Sequence, residues 1–108
     1  MLFTVWLTDD AARDLSEVLD YLAAAHGPAD ADYVLGRIEQ AFLDLSESPE
    51  RGAYPKELLN LGIREYREVF FKPYRIVYRI AGEDVFVLLI ADGRRDLRSL
   101  LQRRLLEA

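Results

Sequence analysis

Seven residues near the end of the chain, Val85-Phe86-Val87-Leu88-Leu89-Ile90-Ala91, carry no polar side chain at either parity. Side chains of a strand alternate between its two faces, so such a strand must be covered on both sides and belongs at the centre of a sheet. The rest of the chain has to be arranged around it. Just upstream, YRIVYRI, residues 74 to 80, places Tyr74, Ile76, Tyr78 and Ile80 on one side and Arg75, Val77 and Arg79 on the other. REYREVFFK, residues 64 to 72, reads as a strand before it, interrupted at Lys72-Pro73. The turn Ala81-Gly82-Glu83-Asp84 and the shortness of both connections favour an antiparallel meander.

The first half of the chain has a different period. LFTVWL, residues 2 to 7, alternates and predicts an opening strand, after which Thr8 or Asp9 can cap a helix whose Leu15, Val18, Leu19 and Leu22 share one face. His26-Gly27-Pro28 stops that helix. A second helix begins around Asp30 and Asp32, aligns Leu35, Ile38, Phe42 and Leu45, and ends at Ser48-Pro49. Residues 50 to 62 read as loop with at most a short strand, and Leu97, Leu100, Leu101 and Leu105 form a last helical stripe. The expectation is an α+β fold. An N-terminal strand and an α-helix hairpin pack on a mostly antiparallel twisted sheet, in the order β-α-α-β-β-β, followed by a short C-terminal helical tail. One hairpin covers one face, so the other face or an edge should stay partly open. With no repeat or linker in 108 residues, residues 1–108 are expected to form a single domain.

Composition removes several function classes. The chain has no Cys, hence no disulfide, thiolate metal site or Cys nucleophile. The first residues, MLFTVWLTDD, lack the basic start of a signal peptide, and no apolar run approaches the length of a membrane span. A cytoplasmic location is expected. No phosphate loop, dinucleotide fingerprint or zinc spacing is present, so no cofactor or metal is expected. The only histidine, His26, sits at the end of the first helix, where its charge would suit the dipole, and reads as structural. Asp9, Asp10, Asp14, Glu17 and Asp20 recur along that helix and read as a solvated face rather than a cation site.

The net charge of −5 conceals an asymmetry. Residues 1–50 hold eleven acids against Arg13 and Arg37, whereas residues 51–108 hold twelve Lys or Arg against eight acids. The working surface is therefore expected in the second half. Arg64, Arg67, Lys72, Arg75, Arg79, Arg94, Arg95, Arg98, Arg103 and Arg104 interleave there with Tyr66, Tyr74 and Tyr78, a pattern that suits either a nucleic-acid surface or solubilising edge charge. At the GRRD element, Gly93 is expected to turn the chain out of the central strand, Asp96 to cap the tail helix, and Arg95 to fold back onto Asp96 or a buried carbonyl.

YREVFFKPYRIVYRI, followed by VFVLLIADGRRDLRSLLQRRL, resembles the C-terminal half of the RelE/ParE superfamily of toxins from type II toxin-antitoxin modules, and more closely its ParE-type plasmid-stabilisation branch. The A-x-x-D-L of the first helix (Ala11, Asp14, Leu15) and LSESPERG at residues 45 to 52 extend the resemblance over essentially the whole chain. It implies a helix hairpin on a twisted sheet, and a small antitoxin partner that wraps the toxin in a heterodimer or heterotetramer. RelE-like members cut messenger RNA on the ribosome, whereas ParE-like members poison DNA gyrase. Many relatives place His before the Gly of GRRD, but this chain has Asp92. That change, and a pI near 4.8, favour gyrase or another protein target over RNA.

The expected target surface is Arg75 with Arg94, Arg98, Arg103 and Arg104, the tail being anchored by Leu100, Leu101 and Leu105, and no residue is expected to be catalytic. The ribonuclease alternative assigns Arg75 and Arg94 to a transition-state phosphate and Tyr78 or Asp92 to proton transfer. A third possibility is a member that still binds its antitoxin but is no longer toxic.

Overall fold

The computed structural model describes residues 2–106 of the expected 1–108 unit, the side chain of Leu106 excepted, and has an α+β fold. In chain order it comprises β1 (Thr4–Leu7), α1 (Asp9–His26), α2 (Pro28–Glu47), a 3-10 turn (Pro49–Arg51), α3 (Lys56–Leu59), β2 (Tyr66–Phe71), β3 (Tyr74–Ala81), β4 (Asp84–Asp92) and α4 (Leu97–Leu106). The sheet order is β1-β4-β3-β2: β1 runs parallel to β4, while β2, β3 and β4 form the antiparallel meander. The apolar run thus lies between two neighbours, as its composition required.

Local signals account for the element ends. Thr8 Oγ accepts the Ala11 N–H at 3.1 Å and caps α1. Gly27, at φ 98°, takes the backbone reversal between the helices, and Pro28 opens α2 where a missing N–H costs nothing. The core-facing row of α2 is Ala31, Val34, Ile38 and Leu45 with Phe42, so three of the four expected residues lie on it and Val34 takes the place expected for Leu35. Asp96 caps α4, accepting both the Ser99 N–H and the Ser99 hydroxyl.

Between Val77 and Tyr78 the β3–β4 register skips a residue, because Val77 pairs with Leu89 and Tyr78 with Val87. Leu88 is the extra residue of a bulge, and beyond it the facing of β4 reverses. Val85, Val87 and Ile90 therefore join the core under the hairpin, with Ile38, Leu45, Ile76 and Tyr78. Leu89 and Ala91 join Val77 in a second core, on the opposite face, closed by Leu58 of α3 and by Leu97 and Leu101 of α4. That face is consequently less open than one hairpin alone would leave it. The difference comes from α3, a single turn that lies within the segment expected to be loop.

Candidate partner-binding site

Arg75 does not lie on a basic surface. It is 7% exposed, on the α3 side of the sheet, where its Nη1 and Nη2 donate to the two oxygens of Glu57 at 2.8 Å each and its Nε donates to Glu68 Oε1 at 2.6 Å. All three guanidinium nitrogens are thereby engaged with carboxylates. The hydrogen bond from Arg75 holds the Glu57 carboxyl below its ordinary range. Burial pushes Glu68 the other way, above its ordinary range, and the same guanidinium offsets this only in part. The cluster ties α3 to β2 and β3. Gly93 belongs to it as well, since a Cβ at that position would come within 3.2 Å of Arg75 Cδ and 3.3 Å of Pro73 O. The chain turns out of β4 at Gly93, as expected, but without a positive φ there, so what the position requires is room beside Arg75.

Tyr78 is fully buried. Its hydroxyl donates to Pro49 O and accepts the Gly52 N–H, fastening the chain after α2 to the sheet, and burial pushes its pKa up. At the end of β4 the arginine that folds back is Arg94, not Arg95, and its acceptor is Asp92: Arg94 Nε and Nη2 donate to the two Asp92 oxygens at 3.0 and 2.6 Å. These hydrogen bonds hold the Asp92 carboxyl below its usual range, so Asp92 is a still weaker base than a free aspartate. Arg95 uses its backbone N–H on Asp92 O, and its side chain is exposed. The residues assigned to a ribonuclease therefore do not converge on an open site.

Arg104 is also held inside. Its guanidinium donates to both oxygens of Asp14 and to Leu88 O, while Asp14 Oδ2 accepts the Ile90 N–H. β1 ends opposite Val87, and past that point the edge of β4 is closed by this pair of side chains instead of a strand. Of the five arginines expected to meet a target, Arg75 and Arg104 could be released only by stripping buried or half-buried carboxylates of their cation. Arg94, Arg98 and Arg103 remain exposed, and Arg95 joins them.

These four stand along the β4–α4 corner, Arg94, Arg95 and Arg103 toward α1 and Arg98 toward α3, and together make a basic crest. On one side of it a cleft of about 620 Å³, next to α1, is lined by Tyr21, Tyr33, Phe71 and Tyr74 among others. On the other a polar cleft of about 470 Å³ separates α1 from α4. Arg95 lines both. His26 lies against Tyr21, ring centroids 6.4 Å apart, in the wall of the first cleft. Among the described residues no cluster of acids and histidine could hold a metal ion, and Asp14 is occupied by Arg104 rather than facing solvent with the other acids of α1. Sequence reasoning missed Glu57, Glu68 and Asp14 as partners of these arginines. For Glu68 there was a signal, an acid that shares one face of a strand with Tyr66 and Phe70, two positions away on either side.

Residues 5–97 match the family model described as the ParE toxin of the type II toxin-antitoxin system parDE. Toxin ParE3 of Caulobacter vibrioides is 34% identical over 97 residues, covering 90% of this chain and 93% of that protein. A chain of the chromosomal ParDE system from P. aeruginosa superposes with a TM-score of 0.70 at 22% identity, over 84% of this chain and 96% of that one. A chain of the RelBE2 toxin-antitoxin complex from Mycobacterium tuberculosis gives 0.59 at 27% identity, over 85% and 99%.

Proposed function

The chain belongs to the ParE toxin family of type II toxin-antitoxin systems, and from that premise we propose that it arrests growth by binding a protein target, DNA gyrase. It is a toxin of the ParE/RelE superfamily. In this reading it works in the cytoplasm, contributes to plasmid stabilisation, and is neutralised by a small antitoxin in a heterodimeric or heterotetrameric complex. The basic crest of Arg94, Arg95, Arg98 and Arg103 meets the target.

One observation carries the choice of a protein target over RNA cleavage. Arg75, one of the two arginines a nuclease would aim at phosphate, is buried between two carboxylates, and Tyr78, one of the two residues assigned to proton transfer, has no exposure. Transition-state stabilisation needs donors aimed at the reacting group, and proton transfer needs a group within hydrogen-bond reach of it. Neither condition is met by buried side chains whose partners lie within the chain. Binding through exposed guanidinium groups requires no such convergence.

The deciding experiment follows labelled thymidine and methionine incorporation in bacteria within minutes of inducing the chain alone. Thymidine uptake should fall first, and purified gyrase should then accumulate cleaved DNA in the presence of the protein. An earlier fall in methionine uptake would instead restore the ribosome-dependent reading.

A further inference from the structure

Four Tyr and Phe rings surround the cleft of about 620 Å³ beside α1, a size within the range of small-ligand sites, roughly 300–1,000 Å³. Tyr21 of α1 and Tyr33 of α2 are 65% and 63% exposed. Phe71 and Tyr74 continue the lining onto the sheet, with ring centroids 6.2 Å apart from Tyr33 to Phe71 and 6.5 Å from Phe71 to Tyr74. Aromatic faces left open to water around one cleft suit a flat ring laid against them.

A polar group with nothing to bond opens into the same space. Tyr74 is 7% exposed, and its hydroxyl makes no hydrogen bond among the described residues. No sealed side-chain oxygen or nitrogen among them lacks a partner, so this hydroxyl is not sealed and reaches the cleft that Tyr74 lines. Burial pushes its pKa up, so it keeps its proton at neutral pH and is a donor. Positive charge comes from the neighbouring chain ends. Tyr74 pairs with Asp92, and the Gly93 N–H donates to Pro73 O at 2.7 Å, which sets Lys72 and Arg95 at one end of the sheet, both lining the cleft. Both are exposed, and neither makes an ion pair among the described residues. Of the three acids in the lining, Asp14 and Asp92 are held by Arg104 and Arg94, which leaves Glu17 against two free cations.

We propose that this cleft binds a small planar aromatic anion of mononucleotide size, its ring against Tyr21 and Tyr33, its phosphate on Lys72 and Arg95, and a hydrogen bond from the Tyr74 hydroxyl. Stacking supplies the ring contact and the two cations supply charge-assisted hydrogen bonds to the phosphate. A nucleic-acid strand does not fit the description. The net charge of −5 and the exposed Asp9, Glu17 and Asp20 of α1 oppose a polyanion, whereas two cations match a single phosphate. The site rests on the cleft itself and not on the gyrase reading, and it lies across the sheet from the cluster of Arg75, Glu57 and Glu68.

The test is isothermal titration calorimetry of the full chain with adenosine 5′-monophosphate as the probe. Binding should be saturable with a Kd below about 1 mM. Adenosine and ribose 5-phosphate each lack half of the recognised chemistry, and each should bind about tenfold more weakly or worse. Tyr33→Leu and Lys72→Glu, exposed changes whose folding is checked by circular dichroism, should each weaken the nucleotide about fivefold or more. Tyr74→Phe should weaken it about threefold or more without lowering the thermal transition, because the hydroxyl it removes has no partner in the chain. Leu61→Glu, on the opposite side of the sheet, should change nothing. Absence of saturable binding to the folded wild type, equal affinity for adenosine, or binding that Tyr33→Leu and Lys72→Glu leave intact would overturn the proposal, as would a much tighter grip per nucleotide on a single-stranded decamer.

Discussion

Arg104 and Asp14 lie 90 residues apart in sequence and are joined by two hydrogen bonds of 2.9 and 3.1 Å. The pair ties α4 to α1 and at the same time satisfies Leu88 O and Ile90 N–H on the open edge of β4. Asp14→Ala should therefore cost about 2–4 kcal/mol in urea unfolding, since it strands a partly buried guanidinium and a strand N–H together. Arg104→Lys should recover less than half of the loss from Arg104→Ala, because a single ammonium cannot reproduce the fork that reaches three oxygens.

Arg75→Ala should be among the most damaging single changes, by about 3–5 kcal/mol at neutral pH, because it leaves the buried Glu68 and the half-buried Glu57 carboxylates side by side without their cation. Acidification should relieve the variant as those carboxylates take up protons. Glu68→Gln should be much milder, because an amide oxygen can still accept from Arg75 Nε and Glu57 retains the bidentate contact.

The Glu68 comparison has a definite sign with pH. Burial raises the Glu68 carboxyl above its unfolded value of 4.5, so the folded state binds the proton more tightly than the unfolded one. That contribution is fully present below the unfolded pKa and is lost as pH rises through the higher folded one. Between neutrality and about pH 4.5, wild type should gain stability relative to Glu68→Gln as the pH falls. Unfolding free energies of the two proteins across that window, if they run parallel or diverge in the opposite sense, refute the assignment.

Tyr78→Phe distinguishes a fastener from a proton donor. Removing the hydroxyl leaves the buried Gly52 N–H and Pro49 O unpaired, for about 1–3 kcal/mol. Growth arrest should survive in whatever fraction of the protein stays folded. Gly52→Ala should be worse, since a Cβ there collides with the Tyr78 hydroxyl and lies 2.7 Å from Glu68 O.

Arg94→Ala combined with Arg98→Ala should reduce growth arrest at least about tenfold in induced-culture survival, taking the crest as a set of binding hot spots. The thermal transition should hardly move, because Arg94 is 81% exposed where it meets Asp92 and exposed ion pairs contribute little. Full toxicity of the double variant would exclude the crest from the target contact.

Much of the architecture was legible because period and capping are local. Thr8, Gly27, Pro28 and Asp96 mark their element ends in the sequence, and the alternation of residues 74 to 80 survives intact in β3. What escaped was set by distant neighbours. The bulge at Leu88 leaves no mark in a run apolar at both parities, and the single turn of α3 is held by Arg75 rather than by any repeat of its own. The candidate surface suffered most for the same reason. A run of arginines does not disclose which of them face Asp14, Glu57 and Glu68 across the fold, so Arg75 and Arg104 looked equivalent to Arg98 and Arg103.

The position of β4 also fixes an order of events. Among the described residues β1 has no sheet neighbour except β4, Thr4 pairing with Asp84, and both cores are completed by residues between Val85 and Ala91. β1 therefore has to wait for its partner until β4 has been made, and the helix hairpin meanwhile lies over an unfinished floor. A prematurely terminated chain, ending before the meander closes, has neither core and no basic crest. Such a fragment lacks the floor on which both the hairpin and the α3–α4 side are built, and so cannot assemble this fold.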